Sequence, residues 1–394
     1  MELAFAAGDV RQAIMLLATA PGMLFRSLDR ILRTASAQET PTLLETLSTA
    51  ITKVSGRVIL SARERLQNRL VVRVTPSRIF ANSKGKAWVA RDDRAPLPID
   101  VALNLINVFD AELLRRLPDV ERLVVSREAL SIALPLSDKN KSDGFGVMPR
   151  GSALPVAEGT LRFFVHCRQK RKRTDYDLLT LLLDERFQFV NQLSYTNLRS
   201  GDGVATHSGD ITSAHEGASE FIDIDLANAG CKLIIPQVNV FAGESFDEVL
   251  ECFFGFMMRT PEQEGKPFEA TTVRTKSDMR GKGKVALPLV FIRDDEGAWW
   301  AQWLSLYLNG SPNFNCVETN RLSTALLARS IVDRSYLGVG YIAGLLRRKA
   351  ENFSWYEGQE LSGPVTFIGI DAPEDLPAGS TVIALSNLQD LIPA

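Results

Sequence analysis

Cysteine and histidine are scarce in this chain: four and three among 394 residues. Cys167, Cys231, Cys252 and Cys316 stand far apart and form no CxxC pair, which argues against a zinc ribbon or RING module. Scattered thiols of this kind suit a reducing cytoplasm, where they stay free and buried. Neither sign of charge dominates, with 45 Lys and Arg against 47 Asp and Glu. A net charge of −2 gives no global basic field, so nucleic acid is not the expected partner. The longest apolar run, YLGVGYIAGLL at 336–346, is followed by Arg347-Arg348-Lys349 and falls short of the ~20 residues that span a bilayer. It reads as a buried helix, with a membrane-surface helix as the alternative. Glu2, Asp9 and Arg11 interrupt the N-terminal apolar stretch and no basic segment precedes it, so no signal peptide is expected. GxxxxGK[ST] and GxSxG are missing, and GVGYIAG at 338–344 has the wrong spacing for GxGxxG.

What is present divides by period. Val10, Ile14 and Leu17; Leu24, Leu28, Ile31 and Leu32; Leu44, Leu47, Ile51 and Val54; and Val58, Ala62 and Leu66 form helical stripes. Thr40-Pro41 fits an N-cap followed by proline at the first helical position. From Leu70 the pattern shortens. LVVRV (70–74), RIFA (78–81) and KAWVA (86–90) read as strands about a turn at 82–85, and a helix follows Pro98 with Val101, Leu105 and Val108 on one face. RLVV (122–125) and LSIALPL (130–136) read as strands or buried segments. From about 160 the chain reads mostly β: 161–167, 175–185, 186–195, 220–226, 232–241, 284–292 and 299–308, with a turn at 294–297. Helices near 320–333 and 336–350 and strands at 365–370 and 381–385 complete the chain. Many short strands separated by turns suggest a β-sandwich. The expected fold is α+β and multi-domain: a helical array over 1–68, a small α+β unit over 69–136, a linker over 137–158, an antiparallel β-sandwich over 159–335, and a helical and β extension over 336–394.

The chemistry concentrates in residues 194–226, SYTNLRSGDGVATHSGDITSAHEGASEFIDIDL. HEGAS at 215–219 begins like HExxH but carries Ser219 at the second ligand position, in a Gly/Ser-rich loop where no helix aligns i and i+4; a zincin is rejected. HSGD at 207–210 holds His, Ser and Asp together, but triads are assembled by geometry, not adjacency. A hard cation remains: calcium takes six to eight oxygen ligands. Asp210, Glu216 and Glu220 offer carboxylates and Asn197 an amide oxygen. Asp175 and Asp177, at i and i+2, share one face of a strand and could complete the set. The equally weighted alternative is that these acids are turn formers and solvated strand edges. RQKRKR (168–173) reads as a charged hairpin tip, with contact to anionic lipid at a membrane surface, nucleic acid or an acidic partner surface as the alternative. Of Trp299, Trp300 and Trp303, core packing is the first expectation, with some ring left exposed. Asn313, Asn315, Glu318 and Asn320 read as capping and turn residues rather than a second polar site.

DYDLLTLLLDE (175–185), SYTNLRSGDG (194–203), HSGD (207–210), GASEFIDIDL (217–226) and CKLIIPQVNVFAGESFDEV (231–249) together resemble, in order, the TerD domain of tellurium-resistance proteins. The flanks PGMLFRSLDRILR (21–33), LPVAEGTLRFF (154–164), ECFFGFMMR (251–259) and NFNCVETNR (313–321) resemble longer bacterial proteins that place such a domain behind a helical and α+β N-terminal region. The resemblance implies a β-sandwich that binds calcium through acidic loops, linked to resistance to tellurite, other chemical stress and phage. It carries Asp175, Asp177, Asn197, Asp210 and Glu220 over as ligands. The chain departs from the family at ITSAHEGAS (211–219), where Ile211, His215, Ala218 and Ser219 replace polar or acidic positions; one calcium site is expected and a second is in doubt. The resulting expectation is a cytoplasmic, non-enzymatic protein that assembles with other proteins of a stress-response or defence complex. The alternatives are a metal-dependent hydrolase using the acidic and histidine loop, or a structural subunit whose metal site has decayed.

Overall fold

The computed structural model describes residues 1–71, 77–81, 87–136, 146–260, 263, 273–281, 283–310 and 321–394. The expected strand residues 72–74, the turn at 82–85, Cys316 and the Asn313/Asn315/Glu318/Asn320 group lie outside the described residues. The chain divides into two compact units: 1–77, 91–138 and 334–394 form the first, and 78–90 and 139–333 the second.

The first unit opens with short helices, Glu2–Ala6, Val10–Ala18, Pro21–Arg26, Leu28–Thr34, Thr40–Ala50 and Gly56–Leu70. The helical stripes are buried where the period places them, Ile14, Leu24, Ile31, Leu47 and Leu66 among them, although Leu43 and Ile59 take the buried positions expected of Leu44 and Val58. Asp9 caps the second helix, its carboxylate accepting from the Gln12 N–H at 2.8 Å. Leu70 ends a helix rather than opening a strand. β1 (Ser77–Ala81) and β2 (Ala87–Arg91) form a two-stranded sheet of their own, and all but its end residues Ser77 and Arg91 group with the second unit. The helix Ile99–Arg116 follows and buries Ala102, Leu105, Phe109 and Leu113. β3 (Val120–Ser126) then enters a sheet completed only by the end of the chain, as described below.

The second unit holds β4 (Ala153–Val156), β5 (Thr160–Arg168), β6 (Asp175–Leu183), β7 (Phe189–Leu193), β8 (Ala205–His207), β9 (Ala218–Asp225), β10 (Leu233–Ala242), β11 (Glu251–Arg259), β12 (Val273–Asp278), β13 (Val285–Arg293) and β14 (Trp299–Leu308). They form a six-stranded sheet, β4-β14-β13-β10-β6-β7, and a five-stranded sheet, β12-β11-β5-β9-β8. Every pairing in both is antiparallel. β4 falls inside the stretch expected to be a linker. The sheets meet through aromatic side chains: Phe291 of β13 lies edge-on to Phe163 of β5 and Phe256 of β11, with centroids at 6.4 and 5.3 Å. Alternation explains this, because odd residues of β5 and even residues of β11 face inward. Each buried Phe here removes enough apolar area to contribute about 1.5–3 kcal/mol. Trp299 and Trp303 are buried, and Trp300 donates its indole N–H to Asp294 at 2.9 Å. The helix Arg321–Val332 places the Thr324 hydroxyl on the Gln237 side-chain oxygen of β10 at 2.6 Å.

β15 (Ala350–Tyr356), β16 (Thr366–Ile368) and β17 (Thr381–Ile383) return to the first unit. They pair in the order β15-β3-β16-β17, all parallel. β3 buries Leu123, Val124 and Val125 in succession, as a strand covered on both faces at that point should. The run 336–346 is a buried helix, Val339–Arg347, with Val339, Ile342, Leu345 and Leu346 inside. Among the described residues no helix is long and apolar enough to cross a membrane.

Candidate metal centre

β6 lies between β10 and β7, but its two flanks differ. β10 pairs with it along its full length, from Asp175 to Leu183. β7 reaches only Thr180 to Leu183. The start of β6, Asp175 to Leu179, therefore has an edge whose backbone groups β7 does not satisfy, and buried backbone groups need partners. The β8–β9 hairpin supplies them. His207 donates from Nε2 to the Leu178 carbonyl at 3.0 Å, and Glu220 accepts the Leu178 N–H on Oε2 at 2.9 Å. Both ends of residue 178 are thus held by buried side chains of the opposite sheet.

The same two side chains fold the loop between β8 and β9. His207 Nδ1 accepts the Gly209 N–H at 3.0 Å, and Glu220 Oε1 accepts the Ile211 N–H at 2.9 Å. Gly209 has φ of +103°, which an L side chain would strain. HSGD is the expected turn, and it delivers Asp210 to the open end of β6. Asp175, Asp177 and Asp210 come together there, each offering an oxygen within 4.8 Å of the others. Asp177 is buried, Asp175 half-buried and Asp210 exposed. An ion bonded to oxygens at 2.3–2.6 Å bridges ligands up to about 5 Å apart, so the spacing suits calcium.

The electrostatics at this end of the sandwich are unfavourable to bare carboxylates. Burial, then the charge of Asp210, raises the Asp175 carboxyl above its ordinary value, against a smaller opposing pull from Arg173. Asp175 Oδ1 is buried with no hydrogen-bond partner among the described residues. Burial pushes Glu220 up to about 8, with Asp177 and Asp210 adding to the shift and the Ile211 and Leu178 N–H groups opposing it. Such a site gains by taking up either a cation or protons.

A second buried acid fixes the other loop at this end. Glu244 accepts from three consecutive backbone N–H groups, Lys170 at 2.6 Å, Arg171 at 2.9 Å and Lys172 at 3.2 Å. Burial alone would raise its carboxyl, but these donors outweigh it and hold it below the ordinary range. Gly243, at φ +97°, lets the chain pass this close: a Cβ there would stand 2.5 Å from the Arg173 carbonyl oxygen. Gln169 exchanges hydrogen bonds with the β8–β9 loop through Ala214, and Arg173 donates to Thr212. The basic run 168–173 is therefore not a hairpin tip. β5 pairs with β9 and β11 while β6 pairs with β7 and β10, so the run crosses between sheets.

Of the six residues expected as ligands, Asp175, Asp177 and Asp210 converge. Glu220 lies beside them with both oxygens on backbone N–H groups, which makes it the support of the site. Asn197 is half-buried and donates its amide to the Gln192 carbonyl at 2.6 Å. Glu216 is exposed and pairs with the equally exposed His215 at 2.6 Å. Sequence reasoning missed Glu244 and Gln169 as supports, and it weighed His207 for chemistry rather than as a pin. No local signal separates a buried acid such as Glu244 from a solvated one such as Glu216; only the long-range pairing does.

The chain matches no protein-family model and no curated protein. Among solved structures that match, one is the crystal structure of a protein of unknown function, SAV2460. The two share 16% identity and a TM-score of 0.35, over 44% of this chain and 99% of that one. A likeness of this degree identifies neither a family nor an activity.

Proposed function

We propose that this chain is a TerD-like, calcium-binding protein of a stress-response or defence system, protective against tellurite, other chemical stress or phage. In this reading it is cytoplasmic, non-enzymatic, and assembles with other proteins of that system. The observation that carries the calcium reading is the convergence of Asp175, Asp177 and Asp210 within 4.8 Å, with a buried, unpartnered oxygen on Asp175. Three carboxylates offer up to six oxygens and water supplies the remainder of a calcium sphere. The TerD part of the proposal rests on the ordered motifs of 175–249. Calcium draws the exposed Asp210 onto β6 and so orders the 209–220 loop into a docking surface.

A hydrolytic reading needs an imidazole with a nitrogen to spare. His207 uses both, as acceptor from Gly209 and donor to Leu178, and burial lowers its proton affinity; His215 engages only Nδ1, with Glu216, but on the exposed loop and outside the group of Asp175, Asp177 and Asp210. The reading of a structural subunit with a decayed site is favoured by one observation, the raised carboxyls of Asp175 and Glu220, since a proton could relieve the repulsion in place of a metal. Thermal unfolding in chelator and in millimolar calcium separates the two. Binding stabilises by about 2.7 kcal/mol at a hundredfold excess over Kd, and Asp210→Ala, an exposed position, abolishes the gain without unfolding the chain. Equal midpoints with and without calcium would leave the decayed-site reading standing.

A further inference from the structure

β1 and β2 form a sheet that is separate from the other three, and two-stranded ribbons are marginal in water on their own. Their side chains are unusual for such a position. Trp88 is 60% exposed, Val89 42% and Phe80 37%. The Phe80 and Trp88 rings lie 5.8 Å apart, and the Arg78 guanidinium stands 4.8 Å over the Phe80 ring. Arg91 is exposed at the end of β2. Single exposed apolar residues need no explanation, but this ribbon exposes an indole and a phenyl ring side by side, with Val89 exposed on the opposite face of β2. Its strands and their connection are basic: residues 70–91 contain Arg73, Arg78, Lys84, Lys86 and Arg91 and no acid. Two acids follow at once, Asp92, which pairs with Arg94 at 2.7 Å, and Asp93, which is exposed.

We propose that the β1–β2 ribbon docks on an anionic lipid bilayer surface. Trp and Phe partition to the water–lipid boundary, where an amphipathic ring meets both phases. Lys and Arg are drawn to the negative surface potential, and their apolar stems lie along the boundary. Val89 favours lipid over nucleic acid: an aliphatic side chain gains from hydrocarbon and offers no stacking face to a base. The proposal rests on the ribbon alone and is independent of the calcium site.

The test is sedimentation of the full chain with vesicles of phosphatidylcholine alone and of phosphatidylcholine with phosphatidylserine. Binding is expected only to the second, weakening with salt. Trp299 and Trp303 are buried and Trp300 and Trp355 half-buried, so the blue shift in emission on binding comes from Trp88. Trp88→Ala removes that shift and most of the binding, and Arg78→Glu or Arg91→Glu weakens binding at least about fivefold each. All three positions are exposed, and unchanged melting confirms that the variants fold. No sedimentation with phosphatidylserine vesicles at low salt would overturn the proposal. So would normal binding by the ribbon variants together with loss in a Lys170→Ala, Arg171→Ala, Lys172→Ala variant, or preferential capture of the ribbon by a single-stranded oligonucleotide.

Discussion

Glu220 shows how one side chain carries several demands at once. It satisfies two backbone N–H groups, at Leu178 and Ile211, from a buried position beside Asp177 and Asp210. Its folded carboxyl titrates near 8, above the ordinary Glu range, so folding favours the protonated form. Its contribution to stability is full below the unfolded value near 4.5 and is lost as pH rises towards 8. Asp175 shifts in the same direction. Melting in chelator is therefore expected to fall between pH 5 and pH 8, and calcium to flatten that slope by stabilising the charged forms. Glu220→Ala strands two amides at about 1–3 kcal/mol each, a loss that denaturant unfolding would measure. Glu244→Gln keeps the shape of its site but replaces an acceptor by a donor against the Lys170–Lys172 amides. Hydrogen exchange at those three amides should then accelerate while the core of β10 is unchanged.

At the scale of elements, β6 and β9 were readable because their patterns are local. Phe221, Asp223 and Asp225 alternate with Ile222, Ile224 and Leu226, and the latter three are buried as period two requires. β14 spans the expected residues, 299–308. β12, VRTKSD, has no apolar alternation to announce it, and β8 is only three residues long. Which strands pair is a long-range property, and this is why 168–173 read as a hairpin tip. The same limit applied to the site: i, i+2 spacing placed Asp175 and Asp177 on one face, but nothing local shows that the hairpin brings Asp210 rather than Glu216 to them. The strands also set the fate of the thiols. Cys167 and Cys252 are register partners across β5 and β11, and both are buried. Burial raises Cys167 and Cys231 to about 12 and Cys252 well above its ordinary value. A thiol-reactive disulfide reagent should modify none of the three in the native protein and all of them in denaturant; rapid native labelling would contradict the packing.

At the scale of the whole molecule, the two units differ in how their chain segments are drawn together. Both faces of the sandwich come from residues after 139, whereas the parallel sheet joins β3 to three strands beyond residue 349. A chain ending at 333 keeps both sandwich sheets but leaves β3 without β15 and β16. Circular dichroism and melting of that truncation should show loss confined to the first unit, and calcium should still raise the remaining transition. The parallel sheet was the least legible feature of the sequence, since its strands are separated by the entire sandwich and no local pattern encodes their partnership. The central claim concerns the end of that sandwich where three carboxylates meet, and calorimetric titration with calcium at pH 7 tests it most directly. One saturable site is expected, with heat that depends on the buffer because a proton leaves Glu220, whose carboxyl is pushed up to about 8, as calcium enters, and with the signal lost in Asp210→Ala. No heat at millimolar calcium, or heat undiminished by that substitution, would contradict it.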